Sequence, residues 1–375
     1  MLNTLKHPSS KSFQSIDDHV SYTGDFETNV TQANKFIENG NWDAAYPHLK
    51  TAVETNHDYA QGFNHLGIFY TKTQRYAEAI NNFKKALQVD FTLTEAHYNI
   101  ASLYMERKEH PAALSHFKEV VLANPNDYEA YYLMGVCCCH VSENDAITFF
   151  YESLRLKPDH VPSAIELCKL LIKKGNYPKA KHILLSIHRN DPSIPEVHFL
   201  LGIIYKIQKS YPKAMKHFRE ILLKDGNNAE AHNLLGECCR ELNMDEQAET
   251  FFAMAAKLDT SYLDAFFNLG DLYYRHKRYP DAVSTLQEYV KTKEATDSIN
   301  SLWSEATATH PENEMIIPLY NLLGYCYKMT HNPTKARSIW EKSLAIKPRQ
   351  QEIKDALTDL KQPSRSHKRV SLVID

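Results

Sequence analysis

Four consecutive residues, Cys137 to His140, are the most suggestive of chemistry, because thiolates and imidazole are common zinc ligands. If this segment is helical, successive side chains point about 100° apart, so three adjacent cysteines cannot all face one ion. Similar cysteines recur further along the chain as Cys238, Cys239 and Cys326. Free cysteine often behaves as a small buried apolar residue. The pattern therefore favours core packing over a metal or redox site.

Catalytic motifs are missing from the sequence. It contains no nucleotide-binding glycine loop, zinc-protease helix motif or calcium loop, and eleven glycines leave little material for a phosphate-cradling loop. Nothing in the spacing of the many carboxylates and histidines pairs them for acid-base work. We predict that the chain is not an enzyme and binds no cofactor or metal. Asn29 matches a glycosylation acceptor, but no secretory signal is evident.

Charge and hydropathy restrict the partners. Lys plus Arg is 43 against 46 for Asp plus Glu, so the net charge of -3 gives no global attraction to nucleic acid or an anionic membrane. No run of about 18 apolar residues could form an integral membrane segment. Seven cysteines in clumps favour a reducing compartment, and we predict a cytoplasmic protein that does not bind nucleic acid. Basic residues near the C-terminus favour a solubilising linker over a polyanion contact; they are Lys361, Arg365, Lys368 and Arg369.

A repeat of about 34 residues runs through most of the chain. Its first marker is a small residue inside a helically spaced apolar segment: Ala33, Gly67, Ala101, Gly135, Cys168, Gly202, Gly236, Gly270 and Gly324. Its second marker is alanine: Ala45, Ala79, Ala113, Ala146, Ala180, Ala214, Ala248, Ala282 and Ala336. The apolar spacing around both markers predicts two amphipathic helices in each unit.

Turns and anchors complete the repeated unit. Four second helices are predicted to begin at Tyr-Pro or His-Pro, since proline is tolerated in the first turn of a helix: His110-Pro111, Tyr177-Pro178, Tyr211-Pro212 and Tyr279-Pro280. A large apolar anchor lies four residues after each alanine: Leu49, Phe83, Phe117, Phe150, Leu184, Phe218, Phe252, Leu286 and Trp340. One helix pair cannot bury its apolar face alone, so stacked neighbours must share a core.

These markers and their period resemble the tetratricopeptide repeat (TPR) family. The resemblance implies an all-α, right-handed superhelical solenoid of about nine helix-turn-helix units, with the match weaker in the first and fifth. The implied units lie near 26–59, 60–93, 94–127, 128–160, 161–194, 195–228, 229–262, 263–316 with an insertion, and 317–350, and a cap helix follows at 351–360.

Three segments depart from the repeat. Residues 1–25 are polar and aperiodic and are interpreted as a flexible leader. About twenty extra residues near Trp303 indicate a lengthened second helix or an added short one. Leu302 and Trp303 would form an exposed contact or a lid there, or alternatively Trp303 and Pro311 would serve as anchor and terminator of a stretched unit. Residues 361–375 are a basic and then apolar tail.

In peptide-binding TPR proteins, residues at unit positions 5, 9, 12 and 13 point into a groove lined by the first helices. Carried over by position, the resemblance implies a partner-binding groove formed by Asn64, Tyr98, Tyr132, Ile165, Lys169, Lys173, Phe199, Lys206, Asn233, Arg240, Phe267 and Arg275. A row of exposed Tyr and Phe would supply binding hot spots. Lys169, Lys173 and Lys206 would favour a partner with some acidic character.

Two known specialisations of the family do not fit. The carboxylate clamp for chaperone C-termini needs Asn and Lys where this chain has Tyr98, Ser102 and Met105. The asparagine ladder of the O-GlcNAc transferases runs along position 6, where only Asn99 and Asn268 are asparagine.

The sequence therefore predicts a non-enzymatic scaffold or adaptor that binds a protein or peptide partner, and it allows a homo-oligomer. The alternative is the recognition arm of a larger enzyme or regulator, of glycosyltransferase or response-regulator type. This alternative depends on the final residues, KRVSLVID, which resemble the opening strand of an α/β domain.

Overall fold

The computed structural model describes residues 25–301 and 312–360, and every regular element in them is a helix. The chain divides into two compact units between Lys174 and Gly175. The first unit comprises α1 (Phe26–Glu38), α2 (Trp42–Thr55), α3 (Ala60–Lys72), α4 (Tyr76–Val89), α5 (Thr94–Glu106), α6 (His110–Ala123), α7 (Tyr128–Cys138), α8 (Glu143–Leu156) and α9 (Val161–Lys173).

The second unit comprises α10 (Tyr177–Asn190), α11 (Pro195–Ile207), α12 (Tyr211–Lys224), α13 (Ala229–Glu241), α14 (Asp245–Leu258), α15 (Leu263–Arg275), α16 (Tyr279–Ser301), α17 (Glu312–Met315), α18 (Ile317–Met329), α19 (Pro333–Ile346) and α20 (Gln351–Asp359). The four second helices predicted from a Pro-containing start begin where expected, at His110, Tyr177, Tyr211 and Tyr279. Among the helices described, none is both long and apolar enough to cross a membrane.

The small residue of each first helix lets the second helix approach closely. A Cβ atom added to Gly202 would lie 2.4 Å from the ring of Phe218, and one added to Gly67 would lie 2.4 Å from the ring of Phe83. These distances are far below van der Waals contact, so the anchor ring occupies the space that any larger residue would need. The predicted roles of the small residue and the anchor are confirmed at both positions.

The marker alanines and the large apolar anchors of the second helices are buried as predicted. All nine marker alanines are fully buried, and each of the nine anchors is at most 1% exposed. Trp340, the bulkiest anchor, also donates its indole N–H to the backbone oxygen of Asn321 at 3.2 Å. The all-α repeat architecture predicted from the sequence is confirmed within each compact unit.

Most first helices end with a left-handed residue. The fifteenth residue of eight repeats has a φ between 55° and 75°: Gly40, Gln74, Lys108, Gly175, Lys209, Asn243, Lys277 and His331. After α11, for example, the backbone N–H of Ser210 donates to the carbonyl of Tyr205 at 2.8 Å, which closes the helix end. The repeat at 128–160 is one residue shorter, and among the residues described it has no left-handed residue at this turn.

The eighth repeat contains both elements that the sequence left as alternatives. Its second helix, α16, is 23 residues long where α14 has 14, and the short helix α17 precedes α18. The residues assigned alternative roles there, Leu302, Trp303 and Pro311, lie outside the described residues, as do the leader up to residue 24 and the tail 361–375. At the end of the array, α20 buries Ile353 and Ala356 against the last helix pair.

Candidate functional site

The first unit places its candidate residues along the first helices α3, α5, α7 and α9. Asn64 is only 1% exposed, and its side-chain oxygen accepts a hydrogen bond from the Asn99 amide at 3.0 Å. Asn64 therefore ties two neighbouring first helices together, and its prediction as a groove contact needs correction because a partner cannot reach it.

The tyrosines of this unit are half-buried, whereas the sequence predicted an exposed row. Tyr98 packs edge-on against its own anchor, Phe117, with ring centroids 5.6 Å apart. Tyr132 lies 6.1 Å from Phe150 and 5.3 Å from His160. Burial raises the pKa of the Tyr132 hydroxyl. Each ring thus supports its own helix pair and leaves only part of its surface for a partner.

The α9 residues lie beside the chain's own acids. Lys169 pairs with Glu166 at 2.7 Å, and Lys173 pairs with Glu143 at 2.5 Å. Ile165, one turn before Lys169, is half-buried. Exposed pairs of this kind contribute little stability, so a ligand carboxylate could replace Glu166 or Glu143 as the partner of the lysine at small cost. The two lysines are therefore exchangeable contacts rather than free charges.

The second unit contains a connected polar network on α11, α13 and α15. Glu237 lies at its centre: it forms an ion pair with Lys206 and accepts a hydrogen bond from Asn233 at 3.1 Å. Asn268 donates to the side-chain oxygen of Asn233 at 3.0 Å. Asn233 is 1% exposed, so it joins helices and is not a groove contact. That assignment from the sequence also needs correction.

Arg240 extends the network toward the end of α13. Its guanidinium donates to Asn268 at 3.1 Å and lies 3.7 Å from the carboxylate of Asp271. Its Nε is buried without a hydrogen-bond partner among the described residues. Asp271 also pairs with Arg275 at 2.8 Å, and the Arg275 side chain is 64% exposed. Arg275 is thus the most accessible cation of this network.

Acidic groups outnumber basic ones on these three helices, with six carboxylates against three cations: Glu196, Glu230, Glu237, Glu241, Asp264 and Asp271 against Lys206, Arg240 and Arg275. Burial, and next the neighbouring Asp264, raises the pKa of Glu230. Burial and then Glu237 raise the pKa of Asp264. Lys206 lowers the pKa of Asp264 only in part, so negative charge remains in excess on these helices, which argues against the acidic partner expected for this unit.

Aromatic residues flank the network without belonging to it. Phe199 on α11 and Phe267 on α15 are half-buried and pack against the cores of their helix pairs. Like the tyrosines of the first unit, they are only partly accessible. The network itself was missed from the sequence because position 6 was considered alone. Its signal is an Asn at position 5 followed 35 residues later by an Asn at position 6, as in Asn64 with Asn99 and Asn233 with Asn268.

The cysteines lie in the interior. Six of the seven are buried and Cys139 is half-buried. Burial raises the pKa of Cys137, Cys168, Cys238 and Cys326 to about 12 in each case, which keeps these thiols protonated and unreactive. Within the described part of the chain, no group of three or more His, Cys, Asp or Glu side chains is arranged to hold a metal ion.

Two histidine pairs occupy equivalent repeat positions. His97 and His116 approach with their Nδ1 atoms 3.0 Å apart, as do His198 and His217. The Nε2 of His97 lies 2.9 Å from the backbone oxygen of Phe91, which can only accept, so this nitrogen is protonated. Nδ1 of neutral His97 is then the acceptor and His116 the donor. The pairs are satisfied as neutral imidazoles.

We expect the histidine pairs to make the protein less stable as the pH is lowered. Burial lowers the pKa of His116 and of His217 to about 4, from the ordinary value of 6.5. Because the unfolded chain takes up these protons first, the free energy of unfolding should decline as pH falls from about 6.5 toward 4. Urea unfolding followed by circular dichroism across this range measures the decline.

The matched variant is His116→Gln with His217→Gln, which should flatten the curve. Other histidines with lowered pKa values, such as His48 and His65, leave a residual slope. Wild-type and variant curves running parallel from pH 6.5 to 4.5 would contradict the assignment.

The stacked helix pairs define a helical-repeat protein, and family comparisons agree. Models described as tetratricopeptide repeat match residues 30–90 and 166–228, residues 70–137, and residues 264–292. Together these matches cover more than half of the chain. The chain belongs to the tetratricopeptide repeat family.

Individual relatives are distant. The chain is 24% identical over 221 residues to human Protein O-mannosyl-transferase TMTC2, covering 57% of this chain and 26% of that protein. It is 23% identical over 200 residues to Anaphase-promoting complex subunit 3 of Schizosaccharomyces pombe, covering 53% and 30%. A tetratricopeptide repeat protein of Parabacteroides merdae has a solved structure that matches with a TM-score of 0.46 at 20% identity, over 66% of this chain and 98% of that one. The chain thus spans less than a third of both curated relatives.

Proposed function

We propose that this protein is a non-enzymatic scaffold that binds a segment of a partner protein along its first helices. Tetratricopeptide repeats in general imply a scaffold for protein–protein interaction, and the proposal assigns that interaction to a surface. The observation that supports it best is the half-buried polar network of α11, α13 and α15, flanked by Phe199 and Phe267. Such a surface combines rigid aromatic area with charged groups held in fixed positions.

The charge of this surface specifies the partner further. Glu230 and Asp264 are acidic neighbours without an ion pair among the described residues. The pKa of each is raised by burial and next by a neighbouring carboxylate, and Lys206 offsets only part of this effect at Asp264. A cationic side chain would relieve their repulsion, so we propose that the segment bound in the second unit carries Lys or Arg together with apolar residues. In the first unit, Lys169 and Lys173 leave room for an acidic side chain, because their own pairs are weak.

Site-specific photo-cross-linking tests the proposal. A benzophenone amino acid placed at Phe199 or at Phe267 should cross-link to the same partner protein, because both positions flank one network. Simple truncation is a poorer test, since these half-buried rings also pack against the core. Mass spectrometry of the cross-linked product identifies the partner and the segment.

Met254, which is exposed on the second helix α14, provides the control position in the same unit. Cross-linking from Met254 should not yield that partner. Equal yield from all three positions, or none from Phe199 and Phe267, would reject the first-helix surface as the binding site.

A second candidate function is the recognition arm of a larger protein. The length of the relatives favours it: the matched region is 26% of a protein named as a transferase and 30% of a subunit of a larger complex. Measuring the mass of the protein in its native cell tests this candidate. A mass well above 43.2 kDa would support it, and a mass of 43.2 kDa would reject it.

A further inference from the structure

Positive charge is concentrated on two second helices of the second unit. α10 has Lys179, Lys181 and Arg189 and no carboxylate, and α12 has four basic residues, Lys213, Lys216, Arg219 and Lys224, against Glu220 alone. The equivalent helix α14 has the opposite balance, with three carboxylates against one lysine. The net charge of -3 for the whole chain therefore conceals a local basic surface.

Contacts show that α10 and α12 contribute to one surface. The ammonium groups of Lys181 and Lys213 lie 4.4 and 5.8 Å from the centre of the same ring, that of Tyr205. Further along, His188 of α10 lies 5.9 Å from His217 of α12 between ring centroids. We call the exposed residues of these two helices the α10–α12 surface.

The cations of this surface are largely uncompensated. Among the described residues, no carboxylate forms an ion pair with Lys179, Lys181, Arg189, Lys213, Lys216 or Arg219. By contrast, each cation of the first-helix network has an acidic partner: Lys206, Arg240 and Arg275. Lys224 donates to the backbone oxygen of Ser193 at 3.2 Å, and its charge also acts on Asp191, whose pKa is lowered by hydrogen bonds from Ser193 and next by Lys224. The surface is therefore complementary to a negatively charged ligand.

An apolar feature lies among these charges. The side chain of Leu223 is 81% exposed, which is unusual for leucine. Two shallow hollows share Leu223 and Glu220 in their lining. The other lining residues are Pro212, Lys216, Arg219 and Leu222 in one hollow, and Pro192, Ser193, Pro195, His198 and Lys224 in the other. The prolines and leucines of the hollows can receive apolar side chains of a partner, and the three basic residues Lys216, Arg219 and Lys224 outnumber Glu220.

We propose that the α10–α12 surface docks an acidic segment of a partner protein, which places apolar side chains in the hollows beside Leu223. Nucleic acid has no apolar side chains to fill the hollows. A membrane-bound helix needs a continuous apolar face, but Leu223 is the one large apolar residue exposed to solvent on α10 and α12. The basic residues of this surface lie on second helices, whereas the first helices of the same unit are proposed to bind Lys or Arg.

The test uses a fluorescein-labelled peptide of repeated Glu-Glu-Leu-Ala segments and fluorescence anisotropy with the full chain. We expect binding that weakens from about 50 to about 300 mM NaCl, because surface charges are screened over this range. Lys213→Glu with Lys216→Glu and Arg219→Glu should weaken binding about tenfold or more, since three attractions between exposed charges are replaced by repulsions. Leu223→Ser should weaken it several-fold. A Glu-Glu-Ser-Ala peptide should bind more weakly to the wild type.

The chain supplies matched controls on α6. Leu122 and Lys118 occupy the repeat positions of Leu223 and Arg219, and Leu122 is 72% exposed, but α6 has one lysine against one glutamate. Leu122→Ser and Lys118→Glu should therefore leave peptide binding unchanged. All of these side chains are exposed, so circular dichroism should show every variant folded.

Several outcomes would overturn the proposal. These are no measurable peptide binding, equal loss in the α6 variants, or tighter binding of a poly-uridine oligonucleotide or of phosphatidylcholine–phosphatidylserine vesicles through the same three residues. A further such outcome is self-association of the chain in sedimentation that the triple variant abolishes. That result would assign the surface to a second copy of the chain and would also overturn the proposal.

Discussion

Phe218→Ala is expected to lower the free energy of unfolding by about 3–5 kcal/mol, because it removes a fully buried ring and leaves a cavity. The ring fills the space against Gly202 of the paired helix, and neighbouring repeats share this core. Urea unfolding followed by circular dichroism measures the loss.

Leu223→Ala, five residues after Phe218 on the exposed face of α12, is the control. Its side chain is 81% exposed, so its stability should change by no more than about 0.5 kcal/mol. Comparable losses in the two variants would show that α12 does not bury the face that the structure assigns to it.

Gly202→Val is expected to be almost as damaging for the opposite reason. Its Cβ would lie 2.4 Å from the Phe218 ring, so the two helices must separate or the ring must leave its position. Overpacking of this kind costs about 3 kcal/mol at its upper range. The same unfolding experiment measures it, and a Phe218→Ala background should reduce the cost because the cavity accommodates the added methyl groups.

Gly226→Val distinguishes steric conflict from a general effect of replacing glycine. A Cβ at Gly226 would meet only the Leu222 backbone oxygen, at 3.8 Å, and this glycine lies in a turn without a positive φ. We expect its stability to change little. If Gly202→Val lowered the stability as little as Gly226→Val, the conclusion that α11 and α12 pack closely at Gly202 would be contradicted.

Periodicity predicted the helix pairs because the residues that determine them act locally and recur. Ala214 and Phe218 are one turn apart on one helix, and their spacing alone assigns both to the buried face. Gly202 is predictable for the same reason, since a small residue at a fixed distance from an anchor marks a close helix approach. These features needed no knowledge of any neighbouring repeat.

The candidate site was harder to predict because side chains from different repeats determine it. Asn233 was assigned to a groove by its position, yet Asn268, 35 residues away, turns it into an interior link between helices. Lys206 was expected to be free for an acidic ligand, but Glu237 of the next repeat neutralises it. The position of a residue within a repeat determines only the direction in which its side chain points. Which group the side chain contacts depends on the residue that the neighbouring repeat places beside it.

The left-handed residues that end the first helices have a consequence for how this protein could be improved. Six of the eight are not glycine, and a left-handed residue with a Cβ carries strain of about 1–2 kcal/mol, less for Asn. Replacing Gln74, Lys108 or His331 by glycine would release part of this strain at turns outside the α11, α13 and α15 network and outside the α10–α12 surface. Substitutions at these turns could therefore raise the thermal stability of the protein without changing the residues proposed to bind partners.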